Sequence, residues 1–219
     1  MDAQATTAPS GGFRDNNIVQ AWLVLCLAIC FGSTLAGMQL ALGPTIEQNK
    51  VNETMAKVPE LVLGQELAAK MAAENQALEI SPRTISVEVG GRQQSYSVFE
   101  AKYQGNSKGW VIKTGGQGYA DKIELLLGLD PALTTITGLF VLEQKETPGL
   151  GNKIIFPEWR GQFIGKPIDP ALTVVKTGAK TKTEVDAITG ATISSRAVTT
   201  IVNSAIKALK EPLSKGGGA

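Results

Sequence analysis

The longest apolar run of the chain lies near its N-terminus. No charged residue occurs between positions 16 and 46, and the apolar core of this segment runs from Ile18 to Leu42. An α-helix needs about 20 such residues to cross the hydrocarbon core of a bilayer. The pattern predicts an N-terminal tail over residues 1–15 and one transmembrane helix over residues 16–43. A cleaved signal peptide is the alternative, although its apolar region is usually only about 7–15 residues long and follows a basic stretch.

Basic residues beside this segment indicate its orientation weakly. Arg14 lies just before the apolar run, and the first basic residue after it is Lys50. Because basic residues are enriched on the cytoplasmic side of a span, we expect the N-terminal tail in the cytoplasm. The rest of the chain would then lie outside it.

Residues 44–82 change from apolar to mixed composition. Gly43 and Pro44 are predicted to end the span, and the residues that follow are rich in Ala, Glu, Lys and Gln, which favour helices. We interpret residues 44–82 as one or two helices that form a stalk or pack on the domain. The sequence Ser81-Pro82-Arg83 interrupts this pattern.

Alternation with a period of two follows and predicts strands. Ile85, Val87 and Val89 share one face of a strand, and Gly90-Gly91 favours a hairpin turn. Further strands are predicted over residues 93–103, 109–113, 122–130, 134–144 and 172–177. The interpretation is an α+β fold: a single N-terminal transmembrane helix followed by a mostly antiparallel sheet packed with helices.

The closing segment has helical periodicity. Apolar residues recur at i, i+4 spacing in a helix predicted from Ser194 to Lys210. This helix is expected to cover one face of the sheet. The folded domain is predicted over residues 83–212, with a flexible tail over residues 213–219.

Composition narrows the chemistry that the soluble part can perform. The 219-residue chain has a net charge of +1 and no histidine, and its only cysteines are Cys26 and Cys30 in the apolar segment. Without a basic patch, nucleic acid is not an expected partner. Without imidazole or thiolate, the soluble part has no Ser-His-Asp or Cys-His catalytic device. Chemistry there would need a carboxylate, a lysine, a hydroxyl or an organic cofactor.

The two cysteines permit two interpretations. They are spaced i, i+4 and share one helix face. They are either small apolar residues facing lipid or another helix, or half of a metal site that a partner subunit completes.

Three glycine-containing stretches could form loops at a binding site. "TGGQGYADK" (114–122) matches neither the dinucleotide fingerprint nor the P-loop, so a hairpin connection is at least as good an interpretation. "KETPGLGNKI" (145–154) predicts a turn at Pro148-Gly149. "DAITGATISSR" (186–196) precedes the closing helix, where threonines could cap it or the free amides could bind a phosphate, with Arg196 nearby.

Two of these stretches resemble signatures of a known family. "DAITGAT" is similar to the S/T-G-A-T motif of the FMN-binding domain shared by the G subunit of Rnf electron-transport complexes and the C subunit of the sodium-translocating NADH:quinone oxidoreductases. "ETPGLG" looks like the second signature of these proteins. The order of the motifs and the single preceding span also match, and the compact length resembles the G subunit more closely than the C subunit.

The resemblance implies covalently bound FMN. The flavin phosphate would be esterified to Thr192, with Thr189, Gly190 and Ala191 shaping the phosphate site. The second motif would lie along the isoalloxazine ring through Glu146, Thr147, Gly149 and Leu150. A flavin transferase would install the FMN, and Ser194 and Ser195 would remain as plain helix caps.

The resemblance also implies a role. The chain would be a membrane-anchored electron-transfer subunit of an Rnf-type, ion-translocating ferredoxin:NAD oxidoreductase complex, with other membrane and peripheral subunits as partners and no substrate site of its own. Its soluble domain would lie on the extracytoplasmic (periplasmic) side of a bacterial or archaeal cytoplasmic membrane. Alternatives are the C subunit of a quinone reductase, a stand-alone anchored FMN protein serving in electron transfer or sensing, and a non-redox interaction subunit whose threonines only cap a helix.

Overall fold

A computed structural model describes residues 17–216 of the chain. The N-terminal tail with Arg14 and the residues after Gly216 lie outside the described part. The elements follow in the order α1 (Asn17–Leu63), α2 (Gln65–Ala73), β1 (Glu79–Val89), β2 (Arg92–Tyr103), β3 (Asn106–Gln117), β4 (Lys122–Leu129), β5 (Ile136–Glu143), α3 (Pro157–Arg160), β6 (Thr173–Val175), β7 (Glu184–Asp186) and α4 (Thr192–Gly216). Short 3-10 helices at Gly151–Ile155 and Gly161–Phe163 flank α3.

Strands β1–β5 form one sheet in which each strand pairs antiparallel with the next one in the chain. This confirms the mostly antiparallel sheet that the alternation predicts. Between β1 and β2, Gly90 and Gly91 have φ angles of 59° and 77°. A two-residue hairpin needs these positive angles, which glycine adopts without strain.

Strand β1 begins earlier than the sequence predicts. Residues 81–83 are expected to interrupt the structure, but they pair with residues 98–100 of β2. Since β1 is an edge strand, one side of it has no neighbour in the sheet, and Pro82 is tolerated there without its N–H. A domain that began at residue 83 would therefore cut a strand that starts at Glu79.

Alternating side chains of the central strands separate two apolar layers. One layer packs with α4 and contains Val98, Ile112, Leu125 and Leu127. The residues between them point to the opposite layer, which contains Phe99, Val111 and Leu126. The sheet is thus buried on both faces, which explains why the sequence of β4 is a nearly continuous apolar run.

The C-terminal turns of α1 cover the second layer through Val58, Leu61 and Val62. A side chain on Gly128 would come within 2.5 Å of the Leu61 carbonyl oxygen, and one on Gly138 within 2.8 Å of Leu61 Cδ2. These glycines let the helix lie directly against β4 and β5.

The prediction that a helix ends at Gly43-Pro44 is wrong, because α1 continues to Leu63. A proline inside a helix removes a hydrogen bond and crowds the preceding turn. Burial of the later turns of α1 against the sheet supplies packing that the local sequence pattern does not register.

The chain divides into two units between Lys50 and Val51. The first unit holds the apolar part of α1, in which an 18-residue window has a mean hydropathy of 2.1. By length and composition, α1 is the one helix of the described part that could cross a membrane. Cys26 and Cys30 are exposed. Residues 17–216 contain no group of three or more His, Cys, Asp or Glu that could hold a metal, so a site completed by a partner stays a prediction.

The C-terminal third differs from the prediction at its short elements. Strand β6 falls within predicted residues 172–177, whereas the sequence pattern does not predict β7, which pairs parallel to it. Three residues are too few for a periodic pattern. Helix α4 runs past Pro212 to Gly216 and buries Leu213, so residues 213–216 are helical, not part of a flexible tail. Leu213 continues the apolar stripe four residues after Leu209.

Candidate cofactor site

The first turn of α4 presents unpaired backbone amides. The helix begins at Thr192, and its first bonded amide is that of Ser195, which donates to the Ala191 carbonyl oxygen at 3.1 Å. Within residues 17–216, no acceptor meets the amides of Thr192, Ile193 and Ser194. Alanine at position 191 offers no side-chain oxygen to cap them. The helix start therefore has the donors and the dipole that favour an anion.

The two threonines of the motif lie in different environments. Thr192 is the first residue of α4 and is half-buried, whereas Thr189 is exposed in the preceding turn. Gly190 has a φ of 80°, and the amide of Ala191 donates to the Ile188 carbonyl at 2.9 Å. Neither threonine hydroxyl has a hydrogen-bond partner in the described part of the chain. Thr192 thus combines a free hydroxyl with the unpaired amides.

The serines after the motif are not the plain caps that the sequence predicts. Ser195 Oγ accepts the amide of Ile188 and donates to the carbonyl of Ala191, both at 3.0 Å. It therefore closes the turn that contains Thr189 and Gly190. The Ser194 hydroxyl donates instead to Glu146 Oε2 at 2.5 Å. Neither serine satisfies the first-turn amides.

Glu146 is the centre of a buried hydrogen-bond network. Its side chain is only 4% exposed. Oε1 accepts the amides of Tyr119 and Ala120 at 2.9 and 3.1 Å, and Oε2 accepts the Ser194 hydroxyl. One carboxylate thus joins the β3–β4 turn, the loop after β5 and the first turn of α4.

The loop after β5 forms the turn that Pro148-Gly149 predicts. Gly149 has a φ of 76°, and the amide of Leu150 donates to the Thr147 carbonyl at 3.2 Å. Thr147, Gly149 and Leu150 are exposed. A side chain added at Gly149 would meet no atom within 4 Å, so this part of the loop borders open space.

The two sequence motifs meet in the fold. A side chain on Gly190 would lie 3.1 Å from Leu150 Cδ2. A side chain on Gly151 would lie 2.6 Å from Ser194 Oγ and 2.8 Å from Glu146 Oε2. The structure therefore brings Leu150 beside Gly190 and Glu146 beside Ser194, two residues after Thr192.

Sequence reasoning missed several residues of this region. Gly118 faces Glu146 so closely that a side chain there would collide with Oε1. Tyr119 and Ile193 are 62% and 57% exposed although both are large and apolar. The glycines of "TGGQGYADK" carried the available signal, but a lone glycine-rich stretch does not distinguish a hairpin from a ligand loop.

An ion pair on the surface also links the turn to the loop. Lys145 Nζ lies 3.1 Å from Asp121 Oδ2. The amide of Lys122 and the ammonium of Lys145 hold the pKa of Asp121 below its ordinary value. Arg196, which the sequence suggests as an extra phosphate contact, is exposed on α4, and that contact stays a prediction.

Comparison with known proteins gives the same region a family. Residues 118–207 match the family model described as "FMN-binding domain". This range begins at the turn bonded to Glu146 and includes both motifs.

Two relatives match further. The chain is 34% identical over 179 residues to the G subunit of the Na(+)-translocating ferredoxin:NAD(+) oxidoreductase complex of Acetobacterium woodii, covering 80% of this chain and 85% of that one. It is 45% identical over 103 residues to the G subunit of the ion-translocating oxidoreductase complex of Methanosarcina acetivorans, covering 47% of this chain and 52% of that one. The second match thus spans about half of that relative.

A solved structure shares the fold. The crystal structure of Shewanella oneidensis NqrC superimposes with a TM-score of 0.63 at 21% identity, covering 77% of this chain and 98% of that one.

Proposed function

Because the chain belongs to the FMN-binding domain family that includes the G subunit of ion-translocating oxidoreductase complexes, we propose that it is a membrane-anchored flavoprotein subunit. It relays electrons within an Rnf-type ferredoxin:NAD oxidoreductase complex. The observation that carries the proposal is the group of unpaired amides at the start of α4 beside the free hydroxyl of Thr192.

The residues present fit a flavin phosphate. The amides of Thr192, Ile193 and Ser194 supply three donors to a dianion at the positive end of a 25-residue helix. Gly190 and Ala191 place no large side chain beside these donors. Leu150, exposed next to Gly190, supplies apolar surface toward a ring system. Thr189, Thr147 and Gly149 lie exposed around the same opening.

The proposed linkage is a phosphoester at Thr192. The Oγ1–H bond breaks, an O–P bond forms to the flavin phosphate, and the displaced phosphate substituent leaves with the proton. Whichever flavin nucleotide a flavin transferase uses, the chain gains FMN less one water. The linkage keeps the cofactor in place throughout turnover.

Bound FMN would supply the reversible transfer of electrons that no side chain of this domain can perform. The protein would bind, orient and shield it. The chain has no histidine, and its cysteines lie outside the domain. We expect no separate substrate site, so the activity belongs to the assembled complex and its other membrane and peripheral subunits.

An Rnf-type complex is favoured over a quinone reductase. The match to the G subunit of Acetobacterium woodii takes in most of both chains. The likeness to the solved quinone-reductase protein supports the fold alone, because the identity is 21%. The apolar part of α1 supports membrane association. An extracytoplasmic position of the domain rests on the charge asymmetry around the span.

Intact-mass analysis tests the attachment. The full chain is produced with a flavin transferase of this family, alongside Thr192→Val and, as a matched control, Thr189→Val. The mass of FMN less water should appear on the wild type and on Thr189→Val and should be missing from Thr192→Val. An unmodified wild type, or a modified Thr192→Val, would overturn the proposed attachment.

Purification in mild detergent tests the place in a complex. The wild type should co-purify with several polytopic membrane subunits from its native host. A flavin-loaded protein that purifies as a monomer would favour a stand-alone electron carrier. A colourless wild type would favour the interaction subunit with a simple helix cap.

A further inference from the structure

The carboxylate of Glu146 is fully engaged inside the protein. Three donors converge on it: the amides of Tyr119 and Ala120 on Oε1 and the hydroxyl of Ser194 on Oε2. Gly118 and Gly151 enclose it, since a side chain on either would collide with one of its oxygens. At 4% exposure, it has little surface left for a ligand.

The three segments that Glu146 joins are distant in sequence. Tyr119 lies 27 residues before it and Ser194 lies 48 residues after it. Between the loop after β5 and the first turn of α4, the Ser194–Glu146 bond is the one side-chain hydrogen bond found within residues 17–216. Removing it leaves these segments without a polar link.

Beside each bonded group lies an exposed apolar side chain. Tyr119 is 62% exposed while its own amide is bonded to Glu146. Ile193 precedes Ser194 and is 57% exposed, and Leu150 precedes Gly151 and is 44% exposed. Thr192 is two residues from Ser194. The buried carboxylate therefore fixes where an aromatic side chain stands relative to the proposed phosphate attachment point.

We propose that Glu146 is a positioning residue that acts through Tyr119 and Ser194: it holds the Tyr119 turn and the first turn of α4 in one arrangement and thereby orders the flavin ring held between them. This inference rests on the proposed function. It differs from the expectation that Glu146 lies along the ring, because it assigns the ring contact to Tyr119 and gives Glu146 an internal role.

Visible circular dichroism of the bound flavin tests the proposal, because its amplitude depends on a fixed, asymmetric environment around the ring. The full chain is produced with its flavin transferase as wild type, Glu146→Ala, Glu146→Gln, Ser194→Ala and Tyr119→Ala. Glu88→Gln serves as control, since Glu88 is an exposed carboxylate on β1. Intact mass is measured on every sample, and spectra are compared only between fully modified chains.

The visible amplitude should fall in Glu146→Ala, Ser194→Ala and Tyr119→Ala and stay unchanged in Glu88→Gln. Glu146→Gln should recover most of it, because its amide oxygen can accept the turn amides and its NH₂ can donate to Ser194 Oγ. The double variant Glu146→Ala/Tyr119→Ala should lose little more than Tyr119→Ala alone, since Glu146 acts through Tyr119.

Two results separate the proposals. A wild type without FMN mass overturns the proposed function and this inference with it. Modified Glu146→Ala and Ser194→Ala chains with the wild-type flavin spectrum overturn only the positioning role. If Glu146→Ala does not fold, Ser194→Ala decides the outcome, because it keeps the carboxylate and removes a single bond.

Discussion

The hydroxyl of Ser194 donates a 2.5 Å hydrogen bond to the buried carboxylate of Glu146. Glu146 belongs to one sequence motif of the family and Ser194 directly follows the other, and their bond is where the two segments join. Because the contact is enclosed by Gly118 and Gly151, its strength can be measured through variants that leave the exposed part of the site unchanged.

Ser194→Ala should destabilise the flavin-free protein by about 1.5–3 kcal/mol, the range for a buried hydrogen bond to a charged group. Thermal unfolding of the full chain in detergent, followed by near-UV circular dichroism, measures the effect. Ser204→Ala, at an exposed position of the same helix, should leave the transition unchanged. Equal transitions for both variants would show that the Ser194–Glu146 bond contributes no stability.

Gly151→Ala should also destabilise the fold, by about 1–3 kcal/mol, because the new methyl group would meet Ser194 Oγ at 2.6 Å and overpack the network. Gly161→Ala is the matched control, since its φ of −56° suits alanine and no atom lies within 4 Å. That control should be neutral or more stable by up to about 1 kcal/mol. Chemical denaturation of both variants measures the difference, and a neutral Gly151→Ala would mean that the loop relaxes freely.

Leu61→Ala tests whether the last turns of α1 are part of the domain core. Leu61 is 5% exposed and packs against the second apolar layer. Truncation should cost about 2–5 kcal/mol in free energy of unfolding, measured by chemical denaturation. Leu67→Ala, at a residue that is 48% exposed, should change it by less than about 0.5 kcal/mol.

Soluble fragments test the same relationship at larger scale. A fragment of residues 51–216 should unfold cooperatively, because it keeps Val58, Leu61 and Val62 over the second layer. A fragment of residues 83–216 lacks this cover and the start of β1, so it should aggregate or lose cooperative unfolding. A cooperative transition in the shorter fragment would show that the helix is dispensable.

Asp130 should contribute pH-dependent stability. Burial opposes its charge, but the amide of Thr135 and the amide and hydroxyl of Thr134 donate to it and lower its pKa below the ordinary 3.8. A lowered pKa stabilises the fold above the unfolded-state value, and the contribution disappears as pH falls through the folded value. Wild type should therefore exceed Asp130→Asn at pH 7, by about 1 kcal/mol or less because the group is largely exposed.

Measuring thermal unfolding of both proteins between pH 7 and pH 2 checks this sign. The difference between them should shrink only below about pH 4, near the ordinary carboxyl pKa. A difference that stays constant to pH 2 would assign the effect to the shape of the turn instead of to its charge.

Local patterns were sufficient for the elements with long periodic signals. The apolar run predicted the membrane-type helix, the alternation predicted the antiparallel sheet, and the stripe ending at Leu209 predicted α4. The predictions from Pro82 and Pro44 were wrong, because an edge strand tolerates a missing N–H and a packed helix tolerates a lost hydrogen bond. Their neighbours in space, absent from a local pattern, decided both cases.

The sequence by itself determined the inventory of this protein: one long apolar helix, no imidazole, and a threonine and a glutamate in two recognisable motifs. Only the tertiary structure decided which contacts those segments make. It turned Ser194 from a cap into a donor to Glu146, placed Leu150 against Gly190, and left the amides beside Thr192 unpaired. The reason is that a hydrogen bond between residues 48 positions apart depends on how the loops close over the sheet, and no local pattern records that closure.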